Sequence, residues 1–264
     1  MNVHMLIIDP QQDFCNKNGA LFVTGADEDC LRTAAMIRRL ETKIDAIHIT
    51  LDSHNEVDIA HPVWWVDSNG NHPAPFTIIT KDDVVNGKWK ASHPACIKRS
   101  IDYVTQLENN KRYPLCIWPP HCIIGSNGYA LEENVSNAVR AWSRNRFKKI
   151  DFVTKGSNPF TEHYSAVKAD VPDPSDPTTL LNSDLISIEN KADVILVLGQ
   201  ALSHCLANTV NDMIAEFGRE SVKKLVIIRD CTSSVTGFEN MGAEFLKEAT
   251  ALGVKVANST TVLA

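Results

Sequence analysis

The sequence predicts an α/β fold whose central sheet is parallel and covered by helices on both faces. Two observations predict it. Short apolar runs recur along the 264 residues, and stretches of helical period separate them. Parallel strands need crossovers long enough to be helices, so alternation of this kind reads as a parallel sheet.

Residues 3–8 (Val-His-Met-Leu-Ile-Ile) read as a buried strand, and 27–40 as a helix with Met36, Ile37 and Leu40 on one side. Residues 46–51 are the second strand. Residues 149–154, 194–198 and 225–228 are three more, and 254–257 a weaker sixth. Helices are expected at 134–147 and at 177–190, the latter with Asp176 as N-cap and Pro177 at the first helical position. Residues 204–217 carry Leu206, Val210, Met213, Ile214 and Phe217 on one face and stop at Gly218. A helix at 240–252 likewise ends at Gly253. Nothing repeats and no linker divides the chain, so one domain over 1–264 is expected. At 61–117 the rhythm breaks into a Pro-, Asn- and aromatic-rich insertion whose one convincing helix is near 97–107. Its ends adjoin the His54 and Trp118 segments, so it is expected over the strand-end pocket; its four aromatics Trp64, Trp65, Phe76 and Trp89 exceed what a solvated linker needs and fit that place or packing on a partner subunit equally.

Composition narrows the function. With 44% hydrophobic residues the chain can bury a large core, and 12 Gly and 12 Pro exclude fibrous or low-complexity classes. A net charge of −6 without a basic stripe argues against nucleic-acid binding. No apolar run reaches the roughly 18–20 residues of a membrane span, and the N-terminus lacks the basic region of a signal peptide. Seven cysteines without metal-type or disulfide-type spacing read as reduced thiols in a cytoplasmic protein.

Ligands of open parallel sheets bind beyond the carboxyl ends of the strands. Asp9 follows the first strand, Asp52 the second and Lys155 the third, and Cys205 lies a few residues past the fourth. A nucleophile, a cation and two carboxylates make a reaction site. The alternative is that strand ends meet solvent and carry polar residues anyway. Cys205 lies in the first turn of a helix, where the macrodipole favours a thiolate; an inert buried cysteine is the alternative. Asp52-Ser53-His54 with Trp118-Pro119-Pro120-His121 offers one carboxylate and two imidazoles, a set suited to Zn²⁺, Fe or Mn. Glu56, Asp58 and His61 are further ligands or solvated loop residues.

Together these motifs resemble the isochorismatase-like cysteine hydrolases, and among them the nicotinamidases. Asp9-Pro10-Gln11-Gln12-Asp13-Phe14 is similar to the opening signature, with Gln12 where the family usually has Asn. Leu51-Asp52-Ser53-His54 and Trp118-Pro119-Pro120-His121-Cys122 resemble the metal motifs. Thr154-Lys155-Gly156 followed by Tyr164-Ser165-Ala166 resembles the lysine segment, and Gly199-Gln200-Ala201-Leu202-Ser203-His204-Cys205 the nucleophile loop. Leu202-Ser203 stands where nicotinamidases usually have Thr followed by Asp or Glu.

The resemblance implies a three-layer α/β/α Rossmann-like fold on a six-stranded, mostly parallel sheet. It implies a triad of Asp9, Lys155 and Cys205, with Asp9 taking the thiol proton. It implies an oxyanion hole of the Ala201 and Cys205 N–H groups and a cis peptide at Gln200–Ala201. Asp52, His54 and His121 would hold a divalent metal, zinc first and Fe or Mn as alternatives. Phe14 and Trp118, with Tyr164 on the wall, would sandwich a ring. The expected activity is hydrolysis of nicotinamide to nicotinate and ammonia through a thioester. The alternative is a sister amidase acting on another small amide or an N-carbamoyl compound. The expected partners are a small amide and a second copy of the chain, with no nucleic acid and no membrane.

Overall fold

Every residue of the first strand is buried, and the rest of the sheet is laid out around it. In the computed structural model, which describes residues 1–264 apart from the side chains of Arg219 and Glu220, the strands are β1 (Val3–Ile8), β2 (Ala46–Asp52), β3 (Asp151–Lys155), β4 (Val194–Gly199), β5 (Leu225–Ile228) and β6 (Lys255–Ala257). They run in the order β6-β5-β4-β1-β2-β3, all parallel. The apolar runs of β1, β4 and β5 fit positions covered on both faces. β3 and β6 are edges and look it: Phe152 is half exposed, and Lys255 and Val256 face solvent.

Six helices complete the layers: α1 (Ala26–Arg39), α2 (Ile97–Asn109), α3 (Glu133–Arg146), α4 (Ser183–Glu189), α5 (Cys205–Val222) and α6 (Glu239–Ala251). α1 and α3 pack against each other, and α5 packs against both α4 and α6. Right-handed crossovers put α1 and α3 on one face and α4, α5 and α6 on the other. α1 carries Asp27, Glu28 and Asp29 in its first turn and Arg38 and Arg39 in its last, matching the sign of the macrodipole at each end. Gly218, at φ 72°, interrupts α5 where the sequence predicts its end. No helix among the described residues is long and apolar enough to cross a membrane.

The expected helix at 177–190 is two elements. Asp176 caps only a 3-10 turn at Pro177–Thr179, accepting from the Thr178 N–H. Leu180 is then extended, and Asn182 caps α4 afresh by accepting from the Leu185 N–H. Two competing N-caps six residues apart explain the split. The 61–117 insertion holds more structure than its composition suggests. Trp65–Val66 pairs with Lys90–Ala91 and Ile78–Ile79 with Leu115–Cys116, both antiparallel, and Thr80 with Asp83 forms a capping box on a short helix at Lys81–Val85. The insertion packs behind the residues following β3. Trp64 meets Phe160 edge-on at 5.6 Å, and the Tyr103 hydroxyl accepts from the Glu162 N–H at 3.1 Å.

One buried acid between these parts makes stability depend on pH. Burial raises Asp170 to about 7 against the attraction of Arg112, whose Nε lies 3.6 Å from Oδ1. Between the ordinary 3.8 and about 7 the folded chain holds a proton that the unfolded chain releases, so this group lowers stability as pH rises through that window. Asp170→Asn removes the effect. The variant is expected to gain up to about 4 kcal/mol relative to the parent across the window, at roughly 1.4 kcal/mol per pH unit. Urea titrations at several pH values test this, and a pH-independent difference would show that Asp170 ionises freely in the fold.

Candidate active site

The sheet runs outward in both directions from β1 and β4, which are neighbours, and that reversal point opens a crevice at the carboxyl ends of the strands. Asp9 leaves β1 with φ 41°, a left-handed turn that aspartate tolerates better than most residues. Gly199 closes β4 at φ 106°, where a Cβ would overlap the Ile8 carbonyl, so only glycine lets the two strand ends lie this close. The Gln200–Ala201 peptide that follows is cis. Gln200 anchors the loop, donating to Asp29 Oδ2 at 3.0 Å and accepting from the Ser233 N–H at 3.3 Å. Ser203 occupies the position where the resemblance leads one to expect an acid. Its Oγ accepts from the Val235 N–H at 3.1 Å and pairs with His204 Nδ1 at 2.9 Å.

Asp9, Lys155 and Cys205 come together as the sequence predicts, with Asp52 among them. The Lys155 ammonium lies 3.0 Å from Asp9 Oδ2, 2.9 Å from Asp52 Oδ1 and 3.6 Å from Cys205 Sγ. All four are buried. Burial alone would strip the proton from Lys155, but Asp52 and Asp9 outweigh it and hold its pKa well above the ordinary value. Burial pushes Asp9 up, helped by Asp52 and opposed by Lys155 and the Thr50 hydroxyl. Asp9 is therefore a better proton acceptor than a free carboxylate.

The electrostatics correct one expectation. The helix N-terminus favours a Cys205 thiolate, but burial drives the thiol well above its ordinary value, and Asp9 and Asp52 add to the rise that Lys155 opposes. The Cys205 thiol is thereby held in its neutral form.

Asp52 turns its other oxygen to the histidines. Oδ2 lies 3.2 Å from His54 Nε2 and 3.4 Å from His121 Nε2. The outer nitrogens have acceptors of their own: His54 Nδ1 is 3.1 Å from Asp58 Oδ2, and His121 Nδ1 is 2.9 Å from the Pro119 carbonyl. Both Nε2 atoms thus face the same Asp52 oxygen while the outer nitrogens are oriented by acceptors of their own, as around metal-ligating histidines; against burial, Asp52 and Asp58 raise His54 well above its ordinary value. His61, of the three extra candidates, stacks beside His54 and His121 at 5.2 and 5.8 Å, and its buried Nε2 has no hydrogen-bond partner. Asp58 supports His54 from behind, and the Glu56 carbonyl accepts from the His61 ring at 3.3 Å. The donor set Asp52, His54 and His121 fits a divalent ion.

Phe14, Trp118 and Tyr164 line one small cavity with Cys205, Ala201, His121 and Asp52. Phe14 meets His121 at 5.3 Å, and Trp118 donates its indole N–H to the Tyr164 hydroxyl at 2.9 Å. The cavity is small, about 20 Å³. The insertion supplies none of this lining; it buttresses Trp118 through Phe76, edge-on at 5.7 Å. Two polar lining residues escaped sequence reasoning. Glu162 is buried and raised to about 7 by burial, with one oxygen unpartnered; His204 is pushed down to about 3 by burial among Trp118, Tyr113, Tyr164 and Phe238. Both adjoin recognised residues, Glu162 two before Tyr164 and His204 one before Cys205, and that adjacency was the only signal.

No protein-family model matches the sequence, and no curated protein does. Solved structures do match by shape. The Acinetobacter baumanii nicotinamidase/pyrazinamidase superposes with a TM-score of 0.64 at 20% identity, covering 99% of this chain and 98% of that one. The yeast nicotinamidase superposes with a TM-score of 0.66 at 16% identity over 97% and 99% of the two chains. The Pyrococcus horikoshii pyrazinamidase, solved in complex with zinc, superposes with a TM-score of 0.57 at 17% identity over 98% and 99%. This chain has the same fold as these solved nicotinamidases and pyrazinamidases.

Proposed function

We propose that the protein is a cysteine amidase that hydrolyses a small aromatic amide, nicotinamide first, through a thioester. The observation that carries this reading is the Lys155 ammonium held between Asp9, Asp52 and Cys205 in the crevice of this fold. Asp9 takes the thiol proton as Cys205 attacks the amide carbonyl. The N–H groups of Ala201 and Cys205 receive the developing oxyanion, the preorganised role that contributes most in acyl transfer. Asp9 returns the proton to the departing ammonia, and water activated by the same carboxylate releases the acid. Lys155 stays charged throughout and offsets the negative charge passing between Asp9 and the sulfur. Phe14 and Trp118 clasp the ring, with Tyr164 behind Trp118.

Asp52, His54 and His121 would hold the metal, zinc before iron or manganese, with the His61 ring beside them. A bound divalent ion supplies Lewis acidity and an anchor for a ring nitrogen or a water. His54→Ala is expected to reduce bound metal to a small fraction of the parent's and to cut turnover at least tenfold. Elemental analysis beside an ammonia-release assay measures both, and full activity in metal-free parent protein would refute the role.

A second reading has its own support. The unpartnered oxygen of Glu162 on the cavity wall suits a substrate with a further polar substituent, such as an N-carbamoyl compound or another small amide. Ammonia release from nicotinamide, pyrazinamide, aliphatic amides and N-carbamoyl compounds separates the two. Preference for nicotinamide supports the first, and turnover of the N-carbamoyl compounds alone supports the second.

A further inference from the structure

We propose a second divalent-cation site, buried under α4 and built from His4, His48 and Glu189. It uses none of the residues discussed above and does not depend on the amidase reading. His4 on β1 and His48 on β2 point to the sheet face that α4 covers, and Glu189 ends α4 above them. All three are buried, Glu189 completely, and one ligand atom from each falls within 4.8 Å of the others. Alternate residues of β2 on this face are His48, Thr50 and Asp52, so the cluster lies roughly 13 Å down the strand from Asp52.

The hydrogen bonding leaves a place for a cation. His48 Nδ1 is 2.9 Å from Asp151 Oδ2, an acceptor only, so the ring proton sits on Nδ1. Nε2 is then a bare lone pair. It faces Glu189 Oε1 at 3.9 Å, beyond hydrogen-bond range, and both atoms are buried without a partner. Two acceptors turned to one another in a dry interior cost free energy unless something positive lies between them. Around Asp9 and Asp52 the Lys155 ammonium fills that role; here no lysine or arginine is paired with Glu189 among the described residues.

The spacing fits an ion. Donors about 2.0–2.1 Å from a tetrahedral zinc lie roughly 3.3 Å apart. His4 Nδ1 lies 3.1 Å from Glu189 Oε2 and His48 Nε2 lies 3.9 Å from Glu189 Oε1, so each imidazole faces one oxygen of the carboxylate, and one donor atom from each residue lies within 4.8 Å of the others. His4 changes tautomer to present Nδ1, and Asp151 orients His48 from the outer side as carboxylates do around zinc-bound histidines. Two histidines and a glutamate select zinc-like ions over calcium or magnesium. The ion would pin α4 to β1 and β2.

The test uses Zn²⁺ and the full chain carrying His54→Ala and His121→Ala, so that the Asp52–His54–His121 donor set is disabled and any zinc lost on changing Glu189 belongs to the new site. This protein is expected to keep about one zinc per chain and to melt about 5–10 °C higher with Zn²⁺ than with chelator. Adding Glu189→Gln is expected to abolish both. Zinc content unchanged by Glu189→Gln, or a folded background protein that binds none, overturns the proposal. If either variant fails to fold, anomalous diffraction at the zinc edge from parent crystals decides. A peak bounded by His4, His48 and Glu189 supports the site, and no peak there overturns it.

Discussion

Cys205→Ser protein is expected to fold like the parent and to release ammonia at least about 10⁴-fold more slowly, because removing one member of a coupled catalytic unit costs nearly as much as removing all of it. The thiol already rests protonated, pushed up by burial and by the neighbouring carboxylates. A serine hydroxyl is harder still to ionise, and Asp9 is too weak a base to compensate. Asp9→Asn is expected to be nearly as damaging, and the double variant no worse than the poorer single one. The pH profile follows from the same geometry. Asp9 must be ionised to accept the proton, so kcat/KM falls as pH drops through its pKa, which burial sets above that of a free aspartate. Iodoacetamide inactivation should track alkylation of Cys205 by mass spectrometry. A protein fully alkylated there and still active would overturn the mechanism and favour a cysteine-independent hydrolase.

Lys155→Met is expected to cost both activity and stability, and the stability loss distinguishes it from Cys205→Ser. Deleting the ammonium leaves Asp9 and Asp52 buried side by side with no cation between them. Breaking a buried ion pair from one side typically costs about 3–5 kcal/mol. Adding Asp9→Asn removes one stranded charge and should recover part of the stability without recovering turnover. Urea midpoints measured with chelator present, so that no ion substitutes for the lysine, give the answer. An unchanged midpoint in Lys155→Met would mean that the carboxylates are already neutral in the fold.

The central strands were legible because burial on both faces leaves an uninterrupted apolar run. Residues 3–8 and 225–228 coincide with β1 and β5, and β4 extends the expected strand only by Gly199. The edge strand β3 was placed two residues early at its start and one early at its end, since its alternating exposure blurs both limits. The two-residue pairs inside 61–117 had no local signal, because contacts with the rest of the chain hold them rather than propensity. Reading the polar residue at each strand end found Asp9, Asp52 and Lys155, since the sheet's topology fixes where its carboxyl edge opens. The same approach could not find His4, His48 and Glu189. A histidine inside an apolar run looks like a tolerated exception, and Glu189 reaches it from 141 residues further along than His48.

Asp52 gives the crevice a property that neither half has alone. One carboxylate neutralises the lysine through Oδ1 and meets both histidines through Oδ2. Any positive charge arriving beside Oδ2, whether a proton on His54 or an ion, weakens the hold of Asp52 on Lys155. Linkage makes the influence mutual and equal in free energy. The imidazole side and the thiol side thus form a two-input device with Asp52 as its common terminal, so titrating either side reads out the charge state of the other. Asp52→Asn would uncouple them while changing neither the lysine nor the rings.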